Sequence, residues 1–216
     1  MNYFGKFKKY FSRENPHLSK SLLNCHTLGV HSVVLNEQNG YLTRMFFTTE
    51  DHVLWKNHCG MMTKEWHPLS VAIHPHHVDI EIYPIWGLLW NVEFDVKKNK
   101  GYNPNDCLLD VFKWTSSILN GKGGFKWSGE KILQLKEHRL MTWNRKYKMR
   151  SNDLHTVYVT RGQPAAWIIQ ESVATKVYDE ITYSNVDLTK WTTDGLYQKP
   201  TMEQLVEMLR EIDIIL

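Results

Sequence analysis

The sequence predicts a mainly β protein, a sandwich or barrel of short antiparallel strands with helices at its periphery. Three observations predict it. From His31 onward apolar residues alternate with a period of two over many short segments. Turn-forming residues separate those segments at short, regular intervals. Gln38-Asn39-Gly40 stands between two of them, and Asn-Gly is a strong hairpin signal because both residues tolerate positive φ.

The elements follow in order. Residues 1–24 open on Tyr3, Phe4, Phe7, Tyr10 and Phe11 at helical spacing, with Lys6, Lys8 and Lys9 largely opposite, so a flanking helix limited by Pro16 is expected. Strands are expected at 31–36, 41–48, 53–56, 69–74, 77–83, 86–95, 132–136, 138–144, 155–160, 165–171 and 177–183. Arg161-Gly162-Gln163-Pro164 predicts a second hairpin. Residues 104–120 carry Leu108, Leu109, Val111, Phe112, Trp114 and Ile118 in a roughly helical pattern and predict a middle helix. The last helix is expected over 201–216, where Thr201 and Gln204 have the spacing of a capping box. A chain of 216 residues suits one domain, 1–216, better than two.

Composition excludes several classes. With 42% hydrophobic and 23% charged residues the chain is neither disordered nor membrane-embedded, and no apolar run approaches a helical span. MNYFGKFKKYF has no continuous apolar stretch of the secretory kind. Cys25, Cys59 and Cys107 are scattered and odd in number, so reduced thiols and a cytoplasmic location are expected. A net charge of +3 is too small to imply nucleic-acid binding. His52, His58, Cys59 and His67 match no zinc spacing.

The stretch that carries chemistry is Ile73-His74-Pro75-His76-His77-Val78-Asp79-Ile80-Glu81. Side chains at i and i+2 of a strand share a face, so His74 and His76 can hold one ion while His77 faces away. Glu81 lies at an odd offset and would join the histidines only across a turn or bulge. Surface or packing histidines are the bland alternative.

These residues resemble the two motifs of the cupin superfamily. His74-Pro75-His76, then Glu81, then Gly87 has the spacing of the first motif, and the segment Arg150 to Tyr158 with His155 that of the second. Pro68, Arg150, Asn152 and Tyr158 replace the Gly, Pro, Gly and Asn of the motifs. The resemblance covers residues 65–172 and implies a double-stranded β-helix, a jelly-roll barrel, with the helices as additions. It implies a metal centre of His74, His76, Glu81 and His155. Fe(II) comes first for such a set, with Mn(II), Ni(II), Co(II) and Zn(II) as alternatives. It implies oxygen chemistry most often, and a homodimer. The Lys-, Asn- and aromatic-rich chain also resembles small bacteriophage or bacterial accessory proteins.

Arg44, Trp86, Trp90, Trp143, Arg145, Tyr158 and Trp167 are expected around the barrel mouth, where aromatic walls and guanidiniums suit a small polar or anionic ligand. Core packing for the tryptophans and solvation for the arginines are the simpler readings. Two functions compete. One is a metal-dependent enzyme of the dioxygenase or isomerase kind. The other is a non-catalytic protein that binds or sequesters a small ligand such as a nucleotide.

Overall fold

A computed structural model describes residues 10, 14–25, 29–48, 73–98, 106–114, 124–159, 163–172, 181–184, 187–190 and 197–215. The flanking helix expected at the N-terminus, the strand at 53–56 and the cluster His52, His58, Cys59 and His67 lie outside these residues, apart from Tyr10 and the segment from 14 on.

Ten strands are described: β1 (Val30–Gln38), β2 (Tyr41–Thr48), β3 (Ile80–Trp86), β4 (Leu89–Val96), β5 (Asp106–Trp114), β6 (Phe125–Met141), β7 (Tyr147–Met149), β8 (Leu154–Val159), β9 (Ala166–Ser172) and β10 (Ile181–Ser184). One helix, α1 (Met202–Ile215), follows them. The strands form two five-stranded sheets, β1-β2-β9-β3-β7 and β10-β5-β6-β4-β8, and every pair is antiparallel.

The chain changes sheet five times, between β3 and β4, β6 and β7, β7 and β8, β8 and β9, and β9 and β10. This is the crossing pattern of a jelly roll, so the predicted architecture is present. The segment Ile73–His74 adds a closure. Ile73 bridges Tyr183 on β10 and His74 bridges His155 on β8. Those are the two edge strands of the second sheet, so the segment bridges its edges, at one residue on each.

Three apolar clusters fill the layers. Ile80, Ile82, Phe46 and Trp167 of the first sheet meet Leu89, Met141 and Val159 of the second. Met45, Phe47, Tyr83 and Ile168 cover the far face of the first sheet, against Leu18 and against Leu205 of α1. Val92, Phe94, Leu109, Leu133, Leu154 and Tyr183 fill the curl of the second sheet. Alternation along each strand thus decides which residues face the other sheet.

Local chemistry explains the turns. Asn39 and Gly40 both take positive φ, 54° and 75°, and join β1 to β2 as the Asn-Gly pair predicts. Thr201 Oγ1 accepts from the Gln204 backbone N–H while Gln204 Oε1 accepts from that of Thr201, a reciprocal capping box.

Two expectations fail. Asp106–Trp114 within the predicted middle helix is strand β5. A bulge between Val111 and Phe112 lets these consecutive residues both be buried, which imitates a helical stripe; pairing with β6 and β10 decides the outcome. The predicted hairpin at 161–164 is a crossover, because β8 pairs with β4 whereas β9 pairs with β2 and β3.

Candidate metal centre

The centre is built from a short strand segment and one long-range bridge. His74 and His155 stand opposite each other, His74 N–H donating to His155 O (3.0 Å) and His155 N–H to His74 O (3.2 Å). Directly opposed residues in an antiparallel pair put their side chains on the same face. For His155 that face is the one shared with Val157 and Val159, toward the first sheet. His76 follows on the same side, as the spacing predicts.

The three imidazoles converge. Ring centroids lie 5.2 Å apart for His74–His76, 5.2 Å for His74–His155 and 4.7 Å for His76–His155. One nitrogen from each ring lies within 4.8 Å of the others, and Nε2 of His76 is 2.7 Å from Nε2 of His155. Nitrogens that ligate one ion at about 2.0–2.1 Å stand roughly 3–3.5 Å apart, and the observed separations bracket that range. His77 is not part of the group.

The far side of His155 is held by a buried polar chain. Its Nδ1–H donates to Asn91 Oδ1 at 2.7 Å. Asn91 Nδ2 donates to Glu93 Oε1 at 3.0 Å, and Glu93 takes Arg139 Nη2 at 2.9 Å and Lys136 Nζ at 3.3 Å. Asn91, Glu93 and His155 are all buried. A carboxylate accepts only, so Glu93 fixes which end of the Asn91 amide meets the ring. His155 Nδ1 therefore carries the proton, and the Nε2 lone pair points at His76. An imidazole with its second nitrogen tied in this way is what metal ligation requires. The donor set fits a divalent ion.

The loops on either side are tied together. Asp79 Oδ1 accepts from Ser151 N–H, and Asp153 Oδ2 accepts from Arg150 N–H, each at 2.8 Å. The turn that starts β8 is thereby attached to the segment following His76. Gly87, between β3 and β4, has φ +76°, and a Cβ there would stand 2.3 Å from the Pro164 carbonyl oxygen. The crossing of the two sheet connections thus requires glycine.

Glu81 does not join the histidines. It shares parity with Tyr83, on the face of β3 turned away from the second sheet, with no bulge to reverse it. Its carboxylate accepts from Tyr83 Oη at 2.5 Å and pairs with Lys146 at 3.1 Å and Lys148 at 3.4 Å. Partial burial raises its pKa, but the Tyr83 hydroxyl and the two lysines outweigh that and hold it below the ordinary value. Its role is therefore an ion-paired surface carboxylate.

The residues expected at the mouth are scattered. Arg44 lies on the inter-sheet face of β2, its side chain 27% exposed, with Nε 3.1 Å from Glu171 Oε1. Trp167 is buried in the inter-sheet core and stacks on Phe46, centroids 5.7 Å apart. Trp90 and Tyr158 stack together at 5.9 Å, with Tyr158 Oη 2.7 Å from His138 Nε2, on the face of the second sheet opposite His155. Trp86 ends β3 and is exposed; Trp143 and Arg145 are exposed in the β6–β7 turn. Of the expected mouth residues, Arg44 and Trp167 lie on the inter-sheet face of the first sheet.

Asn91, Glu93 and Arg139 were not expected. Their signal is the apolar run Leu88-Leu89-Trp90-Asn91-Val92-Glu93-Phe94, in which Asn91 and Glu93 share parity with the core residue Leu89. Polar residues at buried parity must find partners.

No family model matches the chain, and no curated protein matches it. Solved structures it is similar to include proteins of the cupin superfamily. A cupin-2 domain protein from Shewanella frigidimarina is 11% identical, with 80% of this chain and 93% of that one covered and a TM-score of 0.34. A cupin-like protein from Thermotoga maritima is 6% identical, with 77% and 84% covered and a TM-score of 0.37. Hydroquinone 1,2-dioxygenase from Sphingomonas sp., solved with 4-hydroxybenzoate bound, is 9% identical, with 79% and 74% covered and a TM-score of 0.35. Likeness at this level carries no argument about activity; the jelly-roll assignment rests on strand order and the metal centre on the histidine geometry. No helix among the described residues is long and apolar enough to cross a membrane.

Proposed function

We propose that this protein is a metal-dependent enzyme acting on a small anionic molecule, with His74, His76 and His155 as ligands of a divalent ion. The observation that carries the proposal is the convergence of three ring nitrogens within 4.8 Å, with the His155 Nδ1–H secured by Asn91. Nitrogen donors suit Fe(II), Co(II), Ni(II) or Zn(II) better than Mg(II) or Ca(II), and Fe(II) is the first choice for an oxygenase. His74, His76 and His155 would hold the ion, which would supply Lewis acidity or, for a redox metal, oxidation chemistry.

The charge of the ligand set supports an anionic substrate. Three neutral imidazoles do nothing to offset the two positive charges of the ion, and Glu81 is engaged elsewhere. A carboxylate, phenolate or phosphate of the substrate is the group that meets this charge best. Arg44, held by Glu171 on the inter-sheet face, would anchor a second acidic group through its guanidinium. Half-buried Val78, Val157 and Ile169 line the same inter-sheet core and limit water there.

The test is metal analysis of the purified protein, followed by oxygen uptake and mass analysis with a panel of small carboxylates, phenols and nucleotides. Metal-dependent turnover of an acidic compound, lost in His155→Ala, is the expected result. Tight stoichiometric binding without turnover by any loaded metal would overturn the enzyme reading in favour of ligand capture.

A further inference from the structure

We infer that Asn91 is the positioning residue of this centre: held by Glu93, its amide fixes His155 in the tautomer that presents Nε2 to the ion. The inference rests on the metal-binding reading above and deepens it. Asn91 is not one of the three grouped ligands; it acts through His155.

An asparagine amide can offer a ring nitrogen either an acceptor or a donor, and the two choices have opposite consequences. With Oδ1 toward the ring, Nδ1 must be protonated and Nε2 of the neutral ring carries the lone pair. With Nδ2 toward the ring, Nδ1 must be the acceptor and the proton moves to Nε2, which then cannot ligate. The contacts decide between them. Glu93 Oε1 stands 3.0 Å from Asn91 Nδ2, and a carboxylate gives that nitrogen an acceptor that the flipped amide oxygen would find repulsive.

Glu93 is itself held. It pairs across the strands with His155, and its carboxylate is fixed by Arg139 Nη2 and Lys136 Nζ. The Arg139 guanidinium lies over the Tyr147 ring, 5.1 Å from the centroid, which joins this chain of contacts to the first sheet. The order of influence runs from Arg139 and Lys136 to Glu93, then Asn91, then His155. A buried carboxylate and amide at consecutive inward positions of an apolar strand are costly unless satisfied, and here each has partners. Packing alone would have been served by two aliphatic residues.

The experiment has two readouts. Long-range ¹⁵N NMR of the metal-free protein reports which nitrogen of His155 carries the proton. Competition with a chromophoric chelator reports Co(II) or Zn(II) affinity. Asn91→Ala is expected to abolish the single Nδ1–H tautomer and to weaken metal binding roughly 10–100-fold, the range for loss of a partner behind a histidine ligand. The double variant Asn91→Asp with Glu93→Gln exchanges carboxylate and amide, conserving charge and the acceptor beside His155. It is expected to recover the tautomer and most of the affinity, and it keeps the test open should Asn91→Ala fold poorly.

Wild-type tautomer and affinity in a folded Asn91→Ala protein would overturn the inference. So would a folded double variant as weak as the single one. Failure of the wild-type protein to bind any divalent metal would sink the metal reading instead, and the NMR measurement would still decide the role of Asn91.

Discussion

His74 and His155 exchange both backbone hydrogen bonds, at 3.0 and 3.2 Å, so two residues remote in sequence are fixed opposite each other with their rings on one face. The same bridge closes the second sheet, because the segment it belongs to also bonds to β10 through Ile73. The segment that bridges the sheet edges therefore also brings the histidines together. The ring of His155 is then locked from behind by Asn91, so backbone and side chain both determine where its Nε2 points.

Replacing Glu81 with Gln should leave metal affinity within about twofold of wild type, well short of the 10–100-fold expected for a residue that supports a ligand. Its two lysines and Tyr83 lose a charged partner on a partly exposed face, so stability should fall by less than about 1 kcal/mol. Metal titration with thermal melting checks both outcomes. A tenfold loss of affinity would return Glu81 to the ligand set.

Gly87→Ala should be far more damaging than Gly40→Ala, although both glycines have φ near +75°. At Gly40 nothing lies within 4 Å of the added methyl, so the cost is the left-handed backbone alone, about 1–2 kcal/mol. At Gly87 the methyl meets the backbone of Pro164 and Ala165, and the two sheet connections must separate. A loss of more than about 3 kcal/mol by denaturant unfolding is expected. Equal losses would show that the crossing can relax.

Stability should fall as pH drops from about 6.5 to about 4, in part through His31. Burial pushes its imidazole down to about 4 from 6.5, and its Nδ1 accepts from the Asn24 backbone N–H, which needs the neutral ring. In this window the unfolded chain binds a proton that the folded one does not. The contribution is therefore complete above pH 6.5, declines on acidification, and amounts to about 3 kcal/mol at most. Comparing unfolding free energy against pH for wild type and His31→Gln should show a shallower slope in the variant. Parallel curves would mean that His31 is not the group responsible.

The fold was legible wherever alternation was clean. The β1–β2 hairpin followed from Asn39-Gly40, the capped start of α1 from Thr201 and Gln204, and the histidine centre from His74-Pro75-His76 with His155. Strand β5 was not, because a bulge at Val111 and Phe112 breaks the two-residue period and looks helical. Motif spacing groups Glu81 with the histidines, whereas strand parity puts it on the other face, where it lies. Trp90 and Tyr158 have the parity opposite to Asn91 and His155, so they stand on the other face of the second sheet. Asn91 and Glu93 show their meaning only once β4 lies beside β8 and brings them to His155. Parity along a strand was readable; which strands became neighbours was not.

The most direct measurement is the metal stoichiometry of the purified protein beside that of His76→Ala and His155→Ala, with circular dichroism as a check on fold. The account predicts one divalent ion per chain in the wild type. Each variant should lose that ion while keeping the β-rich spectrum, because the strands are held by three apolar clusters that do not include these rings. Full occupancy in both folded variants would contradict the account.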